Sequence, residues 1–510
     1  MASEPSFDAF AQAWDAGRPQ VVWSRLIDDL ETPVSAYLKI ARGRPYAFLF
    51  ESVEGGAWRG RYSIVAMKPD LVWRCRGDTA EVAEGEAIAA GAFTPQAGGA
   101  LDSLRDLVAA SRIELPAGLP PPAAGVYGTL GYDMIRLAEK LPNVNPDPLG
   151  LPDAVMIRPS IVAVFDAIAQ EIVLVTPARP VKGMSAKDAW EAANARLDAV
   201  LADLRAPMTP PVPGEPEEIS FTTPVSRADY ADIVEKTKSY IEAGDIFQAV
   251  VAHRFRAQFR RDPFALYRSL RRTNPSPFLF YLEFGDFQLV GSSPEILVRL
   301  RDGKVTIRPI AGTRPRGATP EEDLALEQEL LADPKERAEH LMLLDLGRND
   351  VGRVSRLREP GRNEPATARK GPSVRVTESF VIERYSHVMH IVSNVEGDAP
   401  EGLDPVDVLM AALPAGTVSG APKVRAMEII DELEVEKRGV GYAGAVGYFG
   451  ADGSVDTCIV LRTGLVKDGM LYVQAGGGIV ADSTPDAEYD ETIHKSNALR
   501  RAASEAWRFG

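Results

Sequence analysis

Alternation of apolar and polar positions predicts mostly short strands, with fewer amphipathic helices between them. Residues 46–53 (YAFLFESV), 62–66 and 71–75 are β-rich runs bounded by Gly and Pro. A further strand pair is expected over 161–166 and 171–176. Residues 188–204 instead repeat Trp190, Leu197, Val200 and Leu204 at helical spacing. Residues 207–220 (PMTPPVPGEPEEIS) hold five prolines and three glutamates, a composition that sustains neither a helix nor a central strand. A lobe of residues 20–206, a linker of 207–220 and a lobe of 221–508 are therefore expected.

The second lobe opens with Ser226 as N-cap of a helix that reaches Ala243 and stops at Gly244. A strand over 246–255 follows, then a helix announced by Asp262-Pro263. Strands are predicted over 278–284, 287–292, 296–300, 305–310, 464–466 and 471–474. Asp302-Gly303 and Asp468-Gly469 are tight hairpin signals, so the strands they join run antiparallel. That argues against a doubly wound nucleotide fold, as does the lack of a G-x-x-x-x-G-K-[ST] motif. A helical stretch over 321–345 is expected to break or kink at Pro334, and 405–413 and 423–433 are helices on either side of the loop 414–422.

Composition narrows the classes. The chain has 510 residues, 45% hydrophobic and 25% charged, as globular proteins do. A net charge of −15 leaves no basic excess to neutralise phosphate, which argues against a nucleic-acid binder. Cys75 and Cys458 cannot make a disulfide framework or a cysteine-rich zinc site. The first residues carry acids where a signal peptide needs bases, and no apolar run is long enough to span a membrane. A soluble cytoplasmic protein is expected.

The richest stretch is 474–495, QAGGGIVADSTPDAEYDETIHK. Gly476, Gly477 and Gly478 would let a ligand approach their amides and form an anion cradle. Thr484 and Pro485 read as a helix start, which puts Glu488 and Glu491 at i and i+3 on one face. Glu336 and Glu339 repeat the spacing on another helix. Four carboxylates without a soft ligand suit Mg²⁺, which keeps waters and takes one or two carboxylates plus substrate oxygens. Gln248, Arg462, His387 and His390 interrupt apolar segments and together imply a polar pocket inside a β-rich core. Residues 353–375 carry six arginines and one lysine and read as a solvated basic loop.

From about residue 226 to 505 the chain resembles the chorismate-binding enzymes. The matching motifs are SSPEILVRL (292–300), PIAGTRPRG (309–317), AEHLMLLDLGRNDVGRV (338–354), ERYSHVMHIVS (383–393), LPAGTVSGAPKVRAMEII (413–430), RGVGYAGAVGYF (438–449), DTCIVLRT (456–463) and the glycine stretch. The resemblance implies an α+β fold of two large, mostly antiparallel sheets packed as a sandwich with helices outside. It implies that Glu339 and Glu491 bind Mg²⁺ directly and Glu336 and Glu488 through water. The metal and Gly476–Gly478 would hold the ring carboxylate of chorismate, and Arg462 with Tyr442 the enolpyruvyl carboxylate. Gly312, Thr313 and Thr417 would line the ring, with His390 placed for proton transfer.

Relatives that add water carry a lysine base where this chain has Gln248, and aminodeoxychorismate synthase carries a lysine where it has Ala311. With neither lysine, the pattern is similar to the component I branch of anthranilate synthase, in which ammonia adds to the ring. Aminodeoxychorismate synthesis and an inactive tryptophan-sensing paralogue are the alternatives. In the first lobe, Phe50-Glu51-Ser52 stands where the family has L-E-S, and NPSPFLF (274–280) looks like its partner motif. Ser52, Pro277, Phe278 and Leu279 are the expected contacts of an L-tryptophan inhibitor. Neither cysteine has a glutaminase setting, so ammonia is expected from a separate glutamine amidotransferase subunit in a hetero-oligomer, by resemblance a heterotetramer.

Overall fold

Two long strands set the architecture. Tyr62–Arg76 and Ala154–Asp166 pair antiparallel along nearly their whole length, with a register shift between Pro69 and Leu71. Pro69 has no amide hydrogen for the ladder and Lys68 has φ of +51°, so the pair bends there. One half of Tyr62–Arg76 pairs with Ala47–Glu51 and the other with Thr79–Glu84. Ala154–Asp166 likewise passes from Gly125–Leu130 to Glu171–Ala178. Each half therefore belongs to a different sheet. The computed structural model describes residues 3–52, 61–142, 144–356, 373–385 and 388–510; His387 and residues 357–372 of the basic segment lie outside the described residues.

Beyond Ala47–Glu51 the first sheet continues through Phe278–Glu283, Phe287–Ser293, Thr463–Lys467, Met470–Ile479 and Gln248–Gln258. Beyond Gly125–Leu130 the second continues through Ala445–Gly450, Val455–Ile459, Ile296–Arg301, Lys304–Ile307 and Val388–Asp398. Trp23, Phe48, Phe280 and Phe287 of the first sheet meet Tyr127, Val446, Tyr448 and Cys458 of the second in one buried cluster, the interior of the sandwich. Helices Pro33–Ile40, Ala186–Arg205, Pro263–Thr273 and Pro485–Glu505 cover the outside of the first sheet. Ala100–Ala110, Pro334–Val354 and Pro405–Ala412 cover the second. This is the expected α+β sandwich with helices outside.

Residues 207–220 contain neither helix nor strand, and the pairing of Ala47–Glu51 with Phe278–Glu283 joins strands from both sides of them in one sheet. Both Asp-Gly turns have two successive positive φ angles, 51° and 70° at Asp302-Gly303 and 50° and 73° at Asp468-Gly469, as tight hairpins demand. The long helix breaks before Pro334 into Pro320–Ala332 and Pro334–Val354. The strand expected over 305–310 is instead two, Lys304–Ile307 and Ile310–Pro315, because Pro309 cannot donate to a ladder. Among the described residues, no helix is long and apolar enough to cross a membrane.

Candidate active site

Two helices bring the carboxylates together. Asp333 caps Pro334–Val354 by accepting from the amides of Lys335 and Glu336, so the first turns present Glu336 and Glu339. Pro485 starts the second helix, which carries Glu488, Glu491 and Lys495. The Lys495 ammonium lies 2.7 Å from Glu491 Oε1 and donates to the Gly476 carbonyl at 3.0 Å. Ser483 donates to Glu488 Oε1 at 2.6 Å, whereas Glu488 Oε2 is buried without a hydrogen-bond partner. Burial raises the Glu339 carboxyl, and the nearby charges of Glu336 and Glu491 raise it further. Burial and then Glu491 do the same to Glu488, against Ser483.

The glycine triplet is not a loop. Gly476, Gly477 and Gly478 extend the strand Met470–Ile479 and pair with Ala252, Val251 and Val250. Thr463–Lys467 partners that strand only as far as Val473, so the other edge at the triplet is open to a ligand. Side chains explain two of the glycines. A Cβ on Gly477 would sit 2.5 Å from Glu488 Oε2, and one on Gly478 would sit 2.8 Å from Gln248 Nε2. A run of glycines reads locally as a turn; only the long-range ladder makes it a strand.

Among the described residues, no three His, Cys, Asp or Glu side chains form a ready-made metal-ligating group. The donor set nonetheless fits a hard cation that keeps its waters. It holds an orphaned carboxylate oxygen, like-charged carboxyls pushed above their usual range, and an open strand edge for substrate oxygens.

Facing this end is a carboxyl that the sequence motifs contain but that drew no assignment. Burial pushes Glu295 up to about 7, against the pull of Thr417, Arg462 and Lys495 and with a push from Glu339. It thus lies near Thr417, Arg462 and Glu339, three of the expected site residues. An acid directly before the apolar strand Ile296–Arg301 is the signal that could have marked it. Lys495, one helical turn after Glu491, was equally legible.

Arg462 is mostly buried, makes no ion pair among the described residues and has φ of +46°, a strained conformation for a non-glycine residue. Tyr442 is 4% exposed, feels the charges of Lys495 and Glu491, and precedes Ala443 at φ of +62°. His390 is opposite Thr313 in the ladder of Val388–Asp398 with Ile310–Pro315. Its Nδ1 lies 3.0 Å from the Gly312 carbonyl and 3.1 Å from Thr313 Oγ1. The carbonyl can only accept, so Nδ1 carries the hydrogen, and burial lowers the ring's pKa, which leaves Nε2 an unprotonated base. Gly312, at the register shift of this strand, has φ of +72°, and a Cβ there would lie 3.2 Å from Glu336 Oε2, so the bulge abuts the first glutamate pair.

Ser52, Pro277, Phe278 and Leu279 lie apart from this pocket but together, lining a cavity of about 110 Å³ with Phe50, Glu51, Tyr448 and Asp456. Its wall combines aromatic faces with charges of both signs, including Arg299 and Arg301 paired with Asp456 at 3.0 and 3.2 Å.

The sandwich carries, at one end, an unpaired strand edge, two glutamate helices and a buried arginine, and the chain belongs to the chorismate binding enzyme family, which it matches over residues 68–501. Among its relatives, anthranilate synthase component 1 of Cereibacter sphaeroides is 58% identical over 506 residues, covering 99% of this chain and 98% of its own length. The protein of the same name from Pseudomonas putida is 49% identical, covering 93% of each chain. The crystal structure of anthranilate synthase component I from Streptococcus pneumoniae superposes with a TM-score of 0.73 at 36% identity, covering 94% of this chain and 99% of that one.

Proposed function

We propose that the protein is the large subunit of an anthranilate synthase, converting chorismate and ammonia to anthranilate, pyruvate and water in the first committed step toward L-tryptophan. The observation that carries this reading is the set of groups around Glu295: a carboxyl that burial pushes up to about 7, flanked by Arg462, Thr417 and Lys495. Arg462 and Tyr442 would hold the enolpyruvyl carboxylate, and the open edge at Gly476–Gly478, with Lys495, would hold the ring carboxylate. Gly312, Thr313 and Thr417 would line the ring. Glu295 would give its proton to the departing C4 hydroxyl as ammonia adds at C2. His390 would then take the C2 proton while the enolpyruvyl group leaves as pyruvate. Gln248, 3% exposed beside Gly478, offers no base to activate water, which favours ammonia.

Mg²⁺ is the fitting metal, held by Glu339 and Glu491 directly and by Glu336 and Glu488 through water; when bound, it would draw electron density from the ring carboxylate. Ammonia would come from a glutamine amidotransferase subunit in a hetero-oligomer, and L-tryptophan would occupy the cavity at Ser52, Pro277, Phe278 and Leu279 as inhibitor. Purified protein given chorismate, ammonium and Mg²⁺ should form fluorescent ortho-aminobenzoate. A para-amino product, or none, refutes the reading.

A further inference from the structure

The cavity at Ser52 and the catalytic pocket lie apart, yet the walls of the first converge on residues that hold the second. One wall is Phe50–Ser52. Its Glu51 carboxylate, 4% exposed, receives the Tyr267 hydroxyl and the Arg271 guanidinium, the latter at 2.8 and 3.1 Å. Both donors belong to the helix Pro263–Thr273, which ends at Asn274. Asn274 Nδ2 donates to Ser292 Oγ at 3.1 Å, and Ser292 Oγ donates back to the Asn274 carbonyl.

The second wall is Pro277–Leu279, and the residue just before it is Ser276. Ser276 Oγ lies 2.7 Å from Ser292 Oγ and 2.9 Å from the Ser293 carbonyl. Two hydroxyl protons thus serve three short contacts: Asn274 O, Ser293 O and the other hydroxyl. The network has more than one arrangement. Ser276, Ser292 and Ser293 are 3%, 0% and 0% exposed, so water does not compete for these bonds.

What leaves this node reaches the reacting groups. The Ser292 amide donates to the Arg462 carbonyl at 3.2 Å, tethering a backbone already strained at φ of +46°. The Glu295 amide lies 3.4 Å from Ser293 Oγ. The third wall of the cavity, Asp456–Cys458, runs directly into Ile459, whose amide donates to the Glu295 carbonyl at 3.0 Å.

We propose that Ser276 and Ser292 are positioning residues that set Arg462 and Glu295 for chorismate and transmit occupancy of the Ser52 cavity to them. The proposal rests on the tryptophan-inhibited reading above and adds the route by which inhibition travels. A ligand that displaces Pro277–Leu279 or Glu51 moves Ser292, and with it the Arg462 carbonyl. The clamp on the enolpyruvyl carboxylate is lost first, so the effect falls on KM for chorismate rather than on kcat.

The experiment compares wild type with Ser292→Ala and Ser276→Ala, measuring tryptophan binding by calorimetry and chorismate kinetics with and without tryptophan. Both variants should bind tryptophan within about threefold of wild type, while the tryptophan-induced rise in KM shrinks at least fivefold, in line with typical coupling factors. Without tryptophan, Ser292→Ala should raise KM and leave kcat nearly unchanged. Folded variants that keep the wild-type KM shift overturn the relay while leaving the inhibitor site standing, as does loss of tryptophan binding in both. Wild-type protein that binds no tryptophan overturns the inhibitor reading, and the relay with it. Because Ser276→Ala spares the Asn274–Ser292 bonds, it tests the route even if Ser292→Ala does not fold.

Discussion

Replacing Glu295 with glutamine tests the chemistry most directly, because activity and stability should move in opposite directions. The amide keeps the shape and removes the proton that the departing hydroxyl needs. General acids contribute roughly 10²–10⁴-fold to rate, so turnover should fall by about that factor, equivalent to ~3–5 kcal/mol of barrier. In wild type, activity on the alkaline side should follow the protonated fraction of a group near 7, losing about tenfold per unit above it. Glutamine does not ionise, so this limb should vanish from the variant's residual activity. Stability has the other sign. Glu295 is raised in the folded state from 4.5 to about 7, so its protonated form favours folding; that contribution is complete below 4.5 and is lost as pH rises through 7. At ~1.36 kcal/mol per unit the loss is at most about 3.4 kcal/mol, so above pH 8 the variant should unfold at a higher temperature than wild type. Stopped-flow fluorescence of anthranilate formation across pH, with calorimetric unfolding at the same pH values, reads both. A variant within threefold of wild-type kcat, or one that keeps the alkaline limb, refutes Glu295 as the acid.

Chelation with EDTA should abolish turnover of the folded wild type, and Glu491→Gln should cost on the order of a hundredfold in activity with unchanged circular dichroism; normal activity in either case would remove the metal assignment. Gly477→Ala places a Cβ 2.5 Å from Glu488 Oε2, so the Mg²⁺ concentration for half-maximal activity should rise about 10–100-fold, measured by metal titration. Arg438 and Glu434 form an ion pair only 1% and 2% exposed, with Arg438 also donating to the Val418 and Val250 carbonyls at 2.6 and 2.7 Å. Arg438→Met should cost about 3–5 kcal/mol in urea unfolding, and adding Glu434→Gln should recover part of it by removing the uncompensated charge.

What the sequence showed and what it hid divide along a physical line. Asp302-Gly303 and Asp468-Gly469 were legible because a two-residue turn needs two positive φ angles, a local demand. Pro334 and the helix Lys423–Leu433 were legible for the same reason: the chain's own stereochemistry decides them. Tyr62–Arg76 was not, since Pro69 ends a strand in local terms, and only the ladder to Ala154–Asp166 carries it through as a bend. That the glycine triplet lies in a strand was not legible, because its pairing partner lies over two hundred residues earlier. Glu295 drew no assignment because its chemistry comes from burial among Thr417, Arg462 and Lys495, which no local window contains.

Strand continuity also bears on the proposed inhibition. A separate sensing domain would signal through an interface whose geometry the catalytic lobe could ignore. Here the Ser52 cavity lies where Ala47–Glu51 pairs with Phe278–Glu283, and that strand pairs in turn with Phe287–Ser293, which leads into Glu295. Its far wall, Asp456–Cys458, belongs to the strand Val455–Ile459, which ends three residues before Arg462. Adjacent strands of a packed sandwich cannot shift independently without opening gaps in the buried cluster around Phe280, Tyr448 and Cys458. A ligand that fits the cavity only after a small strand displacement must therefore move the strands that end in the catalytic pocket. On this architecture, coupling between the two sites is a property of one shared pair of sheets.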